Sequence, residues 1–238
     1  MSDDDDLDGL VRRVDPDRWL ASRFVGDETA RADVIALYAF NYELSRAAEV
    51  ASQPLVGEMR LAWWREALDE MFEKRPVRRH PVALALADVI ARRGLARQEL
   101  EALVDGRLRE LDPWPLAEAE AEVQAHVDAT AGGLMALAAQ VLSPESRAGQ
   151  TRHAARAWGL AGLARLGGRL PAAWGAGEVR GKVEAALRAS ASELKGLPVE
   201  AFPAAAYATL AGPYATGALP SDLSKRARLT WAVLRGRL

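Results

Sequence analysis

The stretch that decides the fold runs from residue 35 to residue 68 and reads IALYAFNYELSRAAEVASQPLVGEMRLAWWREAL. Its pattern predicts two helices separated at Gln53-Pro54, because proline lacks the amide hydrogen of a helix interior and restricts the residue before it. On the first helix, steps of three and four residues produce a polar and aromatic stripe: Tyr38, Asn41, Tyr42, Ser45 and Glu49. An apolar stripe beside it indicates the face that packs on the core: Leu37, Phe40, Leu44 and Ala48.

The second helix of this stretch is predicted to follow Gly57, because apolar residues then recur at near-helical spacing: Leu61, Trp64, Leu68 and Phe72. Elsewhere alanine and leucine dominate, valine and isoleucine are sparse, and no segment alternates as a strand does. This composition favours an all-α fold. A chain of 238 residues is long enough for one domain with a full core. We therefore predict a single helical domain over residues 15–238, preceded by an acidic, disordered tail over residues 1–14.

Composition limits the function. The net charge of −2 gives no support for nucleic-acid binding, and the absence of cysteine excludes disulfides and thiolate metal sites. No apolar run approaches transmembrane length, and the acidic start MSDDDDLDGL is unlike a signal or transit peptide. We therefore expect a cytoplasmic protein.

The C-terminal segment is basic and amphipathic, with Lys225, Arg226 and Arg228 close to Leu229 and Trp231. Our main interpretation is a closing helix that docks on the core. The alternative is peripheral contact with the inner face of a membrane, because basic residues beside a tryptophan suit an anionic lipid interface.

The opening stretch resembles the squalene/phytoene synthase family, through residues 38–40 (Tyr-Ala-Phe) and residues 59–68 (MRLAWWREAL). The resemblance implies the helical isoprenoid-synthase fold with a central cavity, in which relatives join two prenyl diphosphates head to head with magnesium. Residues 39–44 (AFNYEL) match a divergent branch letter for letter. That branch includes a mitochondrial assembly factor for respiratory complex I.

Two later segments extend the resemblance. The pair Gly132-Gly133 interrupts a helix predicted over residues 117–142, and paired glycines inside a helix indicate close helix contact or a kink. In the family this helix lines the cavity. Residues 158–161 (WGLA) resemble the start of the second metal motif, whose later polar positions fall on Leu163, Leu166 and Arg169.

The acidic metal ligands of the family are largely replaced. In the first motif the three aspartate positions hold Ser45, Arg46 and Glu49, and in the second they hold Leu170 and Trp174. Magnesium takes hard oxygen ligands and relies on carboxylates to hold a diphosphate, so a single carboxylate cannot assemble the site. We therefore predict no catalytic residue, no metal site and no cofactor, and magnesium only if the protein is an enzyme after all.

Three hypotheses follow from the resemblance: a non-catalytic binding or assembly protein for complex I subunits, an active prenyl transferase, and a carrier of an isoprenoid, quinone or other apolar lipid. The candidate partner-binding residues are Arg60, Trp63 and Arg65. The candidate cavity residues are Tyr38, Asn41, Tyr42, Ser45, Glu49, Gly132, Gly133, Leu166 and Arg169.

Overall fold

The computed structural model describes residues 6–49, 54–111, 120–167, 170–171 and 173–238, with the side chains of residues 48 and 49 left out. Throughout these ranges the regular structure is helical and no strand occurs, which confirms the all-α prediction. Contacts between Cα atoms divide the chain into two compact units, Met1–Asp112 and Pro113–Leu238. The single domain therefore stays a prediction.

The first unit contains six α-helices in its described part: α1 (Leu7–Val14), α2 (Pro16–Ser22), α3 (Glu28–Glu49), α4 (Pro54–Phe72), α5 (Pro81–Arg93) and α6 (Arg97–Leu108). A short 3₁₀ turn follows at Arg109–Leu111. Helix α3 lies at the centre and contacts each of the other five. Its buried apolar stripe forms the core with residues of α4, α5 and α6: Leu37, Phe40, Leu44, Leu61, Trp64, Leu68, Leu86, Leu100 and Leu103.

Short-range sequence signals begin α2 and end α5. The Asp15 side chain accepts a hydrogen bond from the Arg18 amide at the start of α2, with Pro16 in the first helical position. Gly94 ends α5 with φ +63°, a left-handed conformation that glycine adopts without a steric penalty.

The N-terminal segment differs from the predicted tail. Residues Leu7–Val14 form α1, with Asp6 as its N-cap, and Val11 is fully buried against the first unit. The indole of Trp19 donates a 2.9 Å hydrogen bond to Asp8. After the acidic run, apolar residues recur at positions i, i+3, i+4 and i+7: Leu7, Leu10, Val11 and Val14. They form one apolar face of α1, through which the helix packs on the first unit. Residues 1–5 lie outside the described residues.

Helix α4 begins at Pro54, and residues 50–53 before it lie outside the described residues. The prediction that this helix follows Gly57 is wrong, because Gly57 lies inside it and is buried. A Cβ placed on Gly57 would stand 2.9 Å from the carbonyl oxygen of Ala47 and would collide with Leu111. The glycine therefore permits the close approach of α4 to the C-terminal part of α3.

We expect Gly57→Ala to lower the free energy of unfolding by about 1–3 kcal/mol, because a backbone oxygen cannot move aside as a side chain can. Gly181→Ala is the matched control, since Gly181 lies inside a helix of the second unit and a Cβ there would meet no atom within 4 Å. That change should stabilise the protein by about 0.5–1 kcal/mol through helix propensity alone. Urea denaturation followed by circular dichroism measures both, and equal signs would contradict the close-approach explanation.

The second unit continues with α7 (Glu120–Val127), α8 (Gly133–Leu142), α9 (Arg152–Leu166), α10 (Ala176–Glu193), α11 (Pro203–Ala206), α12 (Ala211–Ala215) and α13 (Asp222–Arg235). A π-helical turn, Asp128–Gly132, joins α7 to α8, so the predicted irregularity at the glycine pair is a wide turn.

Trp158 on α9 packs edge-to-face on Tyr207 and Tyr214. Helix α13 docks through Leu229 and Ala232, in agreement with the closing-helix interpretation.

A helix must be both long and apolar to cross a bilayer. Within the described residues, no helix combines the length and the apolar character that a membrane span requires.

Candidate functional site

The polar stripe of α3 lies at the edge of the first unit's core. Tyr38 and Asn41 are buried, whereas Tyr42 and Ser45 are half-buried. The side chain of Glu49 lies outside the described residues. Helical spacing therefore places the four described residues of the stripe on one face, as predicted. Their exposure to solvent increases from Tyr38 and Asn41 to Tyr42 and Ser45.

Asn41 is held by a partner from α6. Its Oδ1 accepts a 2.7 Å hydrogen bond from Arg107 Nη2, and Arg107 Nη1 lies 2.7 Å from the buried carboxylate of Glu110. The sequence does not reveal this series of hydrogen bonds, because Arg107 lies 66 positions from Asn41. The amide oxygen at this point of the stripe is thus oriented by a charged hydrogen bond within the protein.

Cations accompany the tyrosines of the same stripe. Arg18, bound to Asp15 at 2.5 Å, has its guanidinium 5.9 Å from the ring centre of Tyr38. Arg46 lies 5.5 Å from the ring centre of Tyr42, within the range of a cation–π contact. The described part of the stripe therefore offers hydroxyl, amide and cationic groups.

The partner-binding candidates lie on α4, and the structure separates them. Arg60 and Arg65 are exposed, and Arg65 bonds to the exposed Asp105. Trp63 is half-buried: its ring packs edge-to-face on Trp64 and His80, and the Arg78 guanidinium lies 4.6 Å above it. Trp63 is thus part of the packing of the first unit, while the two arginines face solvent.

Arg78 fixes this corner through Glu70. The guanidinium donates to both carboxylate oxygens, with a shortest distance of 2.6 Å, and these hydrogen bonds lower the pKa of Glu70. The same hydrogen bonds raise the pKa of Arg78. The fixed guanidinium keeps Trp63 in its place on the surface of α4.

Sequence reasoning missed an apolar part of the same surface. Leu55 and Met59 are 60% and 65% exposed, and they lie one turn apart on α4. The signal was present, because both residues lie off the buried stripe formed by Leu61, Trp64 and Leu68. These two apolar side chains form the centre of a surface that we call the α4 face, defined by Leu55, Met59, Arg60 and Arg65. The two arginines flank the pair, with Arg60 about 100° to one side of Met59 and Arg65 about 80° to the other side of Leu55.

The glycine pair of the second unit lies beside a charged contact. Asp128, in the π-helical turn that ends at Gly132, accepts two hydrogen bonds from Arg156 on α9, at 2.8 and 2.6 Å. These bonds raise the pKa of Arg156. Gly159, one turn further along α9, brings the helices together, because a Cβ there would lie 2.5 Å from Val127 Cγ1. The close contact between helices that was predicted at the glycine pair thus occurs at Gly159, where α9 approaches α7.

The later candidates are dispersed. Leu166 is 55% exposed at the end of α9, and Arg169 lies outside the described residues. Leu170 and Trp174, which the resemblance predicts at two acidic positions of the family motif, line a cavity of about 630 Å³ in the second unit. Leu163 and Tyr214 contribute to the same largely apolar wall, and Arg165 stacks on Tyr214 at 4.2 Å.

The residues present do not fit a magnesium cluster. Within the described parts of the chain, no group of three or more histidine, aspartate or glutamate side chains is arranged to hold a metal ion. The described motif positions provide the hydroxyl of Ser45, the cation of Arg46, and the apolar side chains of Leu170 and Trp174. Hard cations prefer several anionic oxygens, which this set does not supply.

The helical architecture and the motif positions together define a protein of the isoprenoid-synthase type. The family model "Squalene/phytoene synthase" matches residues 11–165, which is more than half of the chain, and the protein therefore belongs to that family. The match includes the α3 stripe, α4, the π-helical turn and Gly159, and it ends before Leu170.

Solved structures show the same fold. A dehydrosqualene synthase, crystallised in complex with ligand, aligns with a TM-score of 0.73 over 96% of this chain and 94% of its own, at 12% identity. A squalene synthase from Alicyclobacillus acidocaldarius aligns with a TM-score of 0.65 over 97% of this chain and 92% of its own, at 15% identity. These identities are low, so the comparison concerns the fold alone.

Animal proteins with similar sequences are named as assembly factors and not as synthases. The rat protein "NADH dehydrogenase (ubiquinone) complex I, assembly factor 6" is 31% identical over 133 residues, covering 56% of this chain and 39% of the rat protein. The human protein of the same name is 29% identical over the same shares. The Drosophila melanogaster homolog is 30% identical over 137 residues, or 56% of this chain and 40% of that protein. The matched region thus spans about two fifths of these relatives.

Proposed function

We propose that the protein is a non-catalytic member of the squalene/phytoene synthase family that acts as a binding protein in the assembly of respiratory complex I. The observation that carries this proposal is the similarity to complex I assembly factor 6 in mammals and in the fly. Their names state an assembly role and no prenyl transfer.

The chemistry of the motif positions supports a role without turnover. Ionising a prenyl diphosphate requires metal cations that neutralise the leaving group. Here Ser45 and Arg46 stand at two acidic positions of the first motif, and Leu170 and Trp174 stand at both positions of the second. A cation beside the tyrosine ring of the stripe repels a metal ion, and apolar side chains cannot bind one.

The α4 face is the surface that we assign to the protein partner. Methionine and arginine are both enriched at protein interfaces, and arginine is common among the residues that contribute most to binding. Leu55 and Met59 supply the apolar area, and Arg60 lies beside them on the exposed side of α4. The packing of Trp63 on Trp64 and His80 fixes the helix that carries this face.

The first test is calorimetric titration with farnesyl and geranylgeranyl diphosphate, with and without magnesium, followed by product and pyrophosphate analysis. We expect no magnesium-dependent binding and no pyrophosphate release, and we expect Glu49→Ala to behave like the parent protein. Magnesium-dependent binding with pyrophosphate release, abolished by Glu49→Ala, would establish the prenyl transferase alternative. An isoprenoid or quinone extracted in stoichiometric amount from the purified protein would favour the carrier, with the 630 Å³ cavity as its site.

The second arm of the test addresses the partner. The protein, expressed with an affinity tag in its own host, should capture complex I subunits, identified by mass spectrometry. Met59→Glu should reduce this capture at least about tenfold, the effect of removing one central interface residue. Val199→Glu is the matched control, because Val199 is 83% exposed and lies in the second unit. Equal capture by both variants would reject the α4 face.

A further inference from the structure

Helix α13 presents a second surface that the proposed function does not use. It docks on the second unit through Leu229 and Ala232, yet Leu223, Trp231 and Leu234 are 78%, 56% and 75% exposed. A helix that only closes the core has no need for exposed leucines and a tryptophan. We propose that this face of α13 binds the surface of an anionic lipid bilayer.

The geometry of the helix separates the two apolar sets. At about 100° per residue, the exposed trio Leu223, Trp231 and Leu234 lies within an arc of about 80°. Leu229 and Ala232 lie on the opposite side, which is buried against the protein. The exposed stripe extends over about 11 residues, or about 16 Å. The apolar face that remains free is thus continuous and parallel to the helix axis, as in helices that lie in a membrane interface.

Arginines border this stripe on both edges. Arg226 lies about 60° to one side of Leu223, and Arg228 and Arg235 lie about 40–60° beyond Trp231 on the other. The Arg235 guanidinium stacks on the Trp231 ring at 3.9 Å. Cations at the level of the lipid phosphates, with leucine and tryptophan below them, match the depth profile of a bilayer.

A groove beside the stripe adds more positive charge. It has a volume of about 450 Å³ and is lined by Trp231, Arg235 and Arg237, together with Arg188 from α10. The segment from residue 222 to residue 238 contains five basic residues and a single acidic one, Asp222, although the whole chain has a net charge of −2. The exposed cations Arg226, Arg228 and Arg235 border the stripe, whereas Lys225 lies toward the protein, with its ammonium 5.7 Å from the ring centre of Tyr214.

Charge complementarity indicates that the partner of this face of α13 is a lipid bilayer. Both long edges of the stripe are cationic, so a complementary surface carries negative charge along both sides of an apolar strip. A leaflet that contains anionic lipids has this arrangement, because its phosphates surround the acyl chains on all sides and attract basic residues. The inference does not rest on the proposed function, because a catalytic protein with this helix would bind the same surface.

The test is cosedimentation of the full chain with vesicles of phosphatidylcholine, with and without phosphatidylglycerol. We expect binding to the anionic vesicles that weakens at high salt, as the screening length falls from about 10 Å at 0.1 M to about 3 Å at 1 M. Leu223→Ser with Leu234→Ser should reduce partitioning at least about tenfold, because two apolar side chains no longer enter the interface. Arg226→Glu with Arg235→Glu should reduce it to a similar extent.

Val199→Ser is the matched control, since it removes an equally exposed apolar side chain outside α13 and should bind as the parent does. All of these positions are exposed, so circular dichroism and the melting temperature should stay unchanged. Equal binding to neutral vesicles, no binding to anionic vesicles, or full binding by the double leucine variant would each overturn the proposal. A vesicle-independent dimer that the leucine substitutions abolish would also overturn it, by assigning this face to a second copy.

Discussion

Phe40→Ala is expected to lower the free energy of unfolding by about 3–5 kcal/mol, the usual loss for a fully buried phenylalanine. Phe40 has no exposed surface and packs edge-to-face on Trp64, with ring centres 5.1 Å apart and planes inclined at 70°. This contact joins α3 to α4 at the centre of the first unit. Alanine would lose the burial of the ring and leave a cavity that the surrounding leucines cannot fill. Urea denaturation followed by tryptophan fluorescence measures the loss directly.

Tyr42→Ala on the same helix is the matched control. It removes a ring of similar size and introduces the same helix former, but Tyr42 is half-buried and lies on the polar stripe. We expect a loss of only about 1 kcal/mol, near the centre of the distribution for single substitutions. If Tyr42→Ala were as costly as Phe40→Ala, the stripe would belong to the core, and its assignment as a candidate ligand-facing surface would be wrong.

The features of the fold that were predictable are those encoded over short distances. The apolar and polar faces of α3, the start of α2 at Pro16 and the end of α5 at Gly94 all depend on residues within a few positions of one another. Helical periodicity and proline and glycine rules act at that range. The fold class and the family followed from the same stretch, because the α3 and α4 motifs lie inside the part of the chain that the family model matches.

What could not be predicted depends on contacts between distant segments. Nothing near Asn41 in the sequence indicates that Arg107 donates to it, and nothing near Gly57 indicates the carbonyl oxygen of Ala47 above it. The same applies to Trp63, whose packing on the ring of His80 only the structure reveals. Propensity and periodicity contain no information about which distant side chain completes a site.

The cavity of the second unit shows this limit at the candidate site itself. The resemblance predicts that Leu170 and Trp174 replace acidic ligands, but it does not predict their neighbours. The structure brings them together with Leu163 and Tyr214 around one apolar space. Replacement of a carboxylate can be inferred from a motif, whereas the space that the replacement leaves depends on the packing of several helices.

Asp33→Ala is the second substitution with a large expected effect, a loss of about 2–4 kcal/mol. The Asp33 carboxylate is 2% exposed and accepts from two consecutive arginines of α5: one oxygen binds Arg92, and the other lies 2.7 Å from Arg93 Nε. Both arginines are in the last turn of α5, where a carboxylate partner also keeps their charge close to the negative end of the helix dipole. Alanine would leave Arg93 partly buried beside α3 without its anion.

Asp105→Ala tests whether burial is the cause. Asp105 bonds to Arg65, but both side chains are about half exposed, so removal of this pair should cost less than about 1 kcal/mol. Raising the salt concentration to about 1 M should erase the small effect at Asp105 and leave most of the effect at Asp33, because buried pairs are poorly screened. Equal losses for the two variants would mean that the arginines of α5 are hydrated when Asp33 is removed. In that case the ion pairs of Asp33 would contribute little to holding α3, which presents the candidate stripe, against α5.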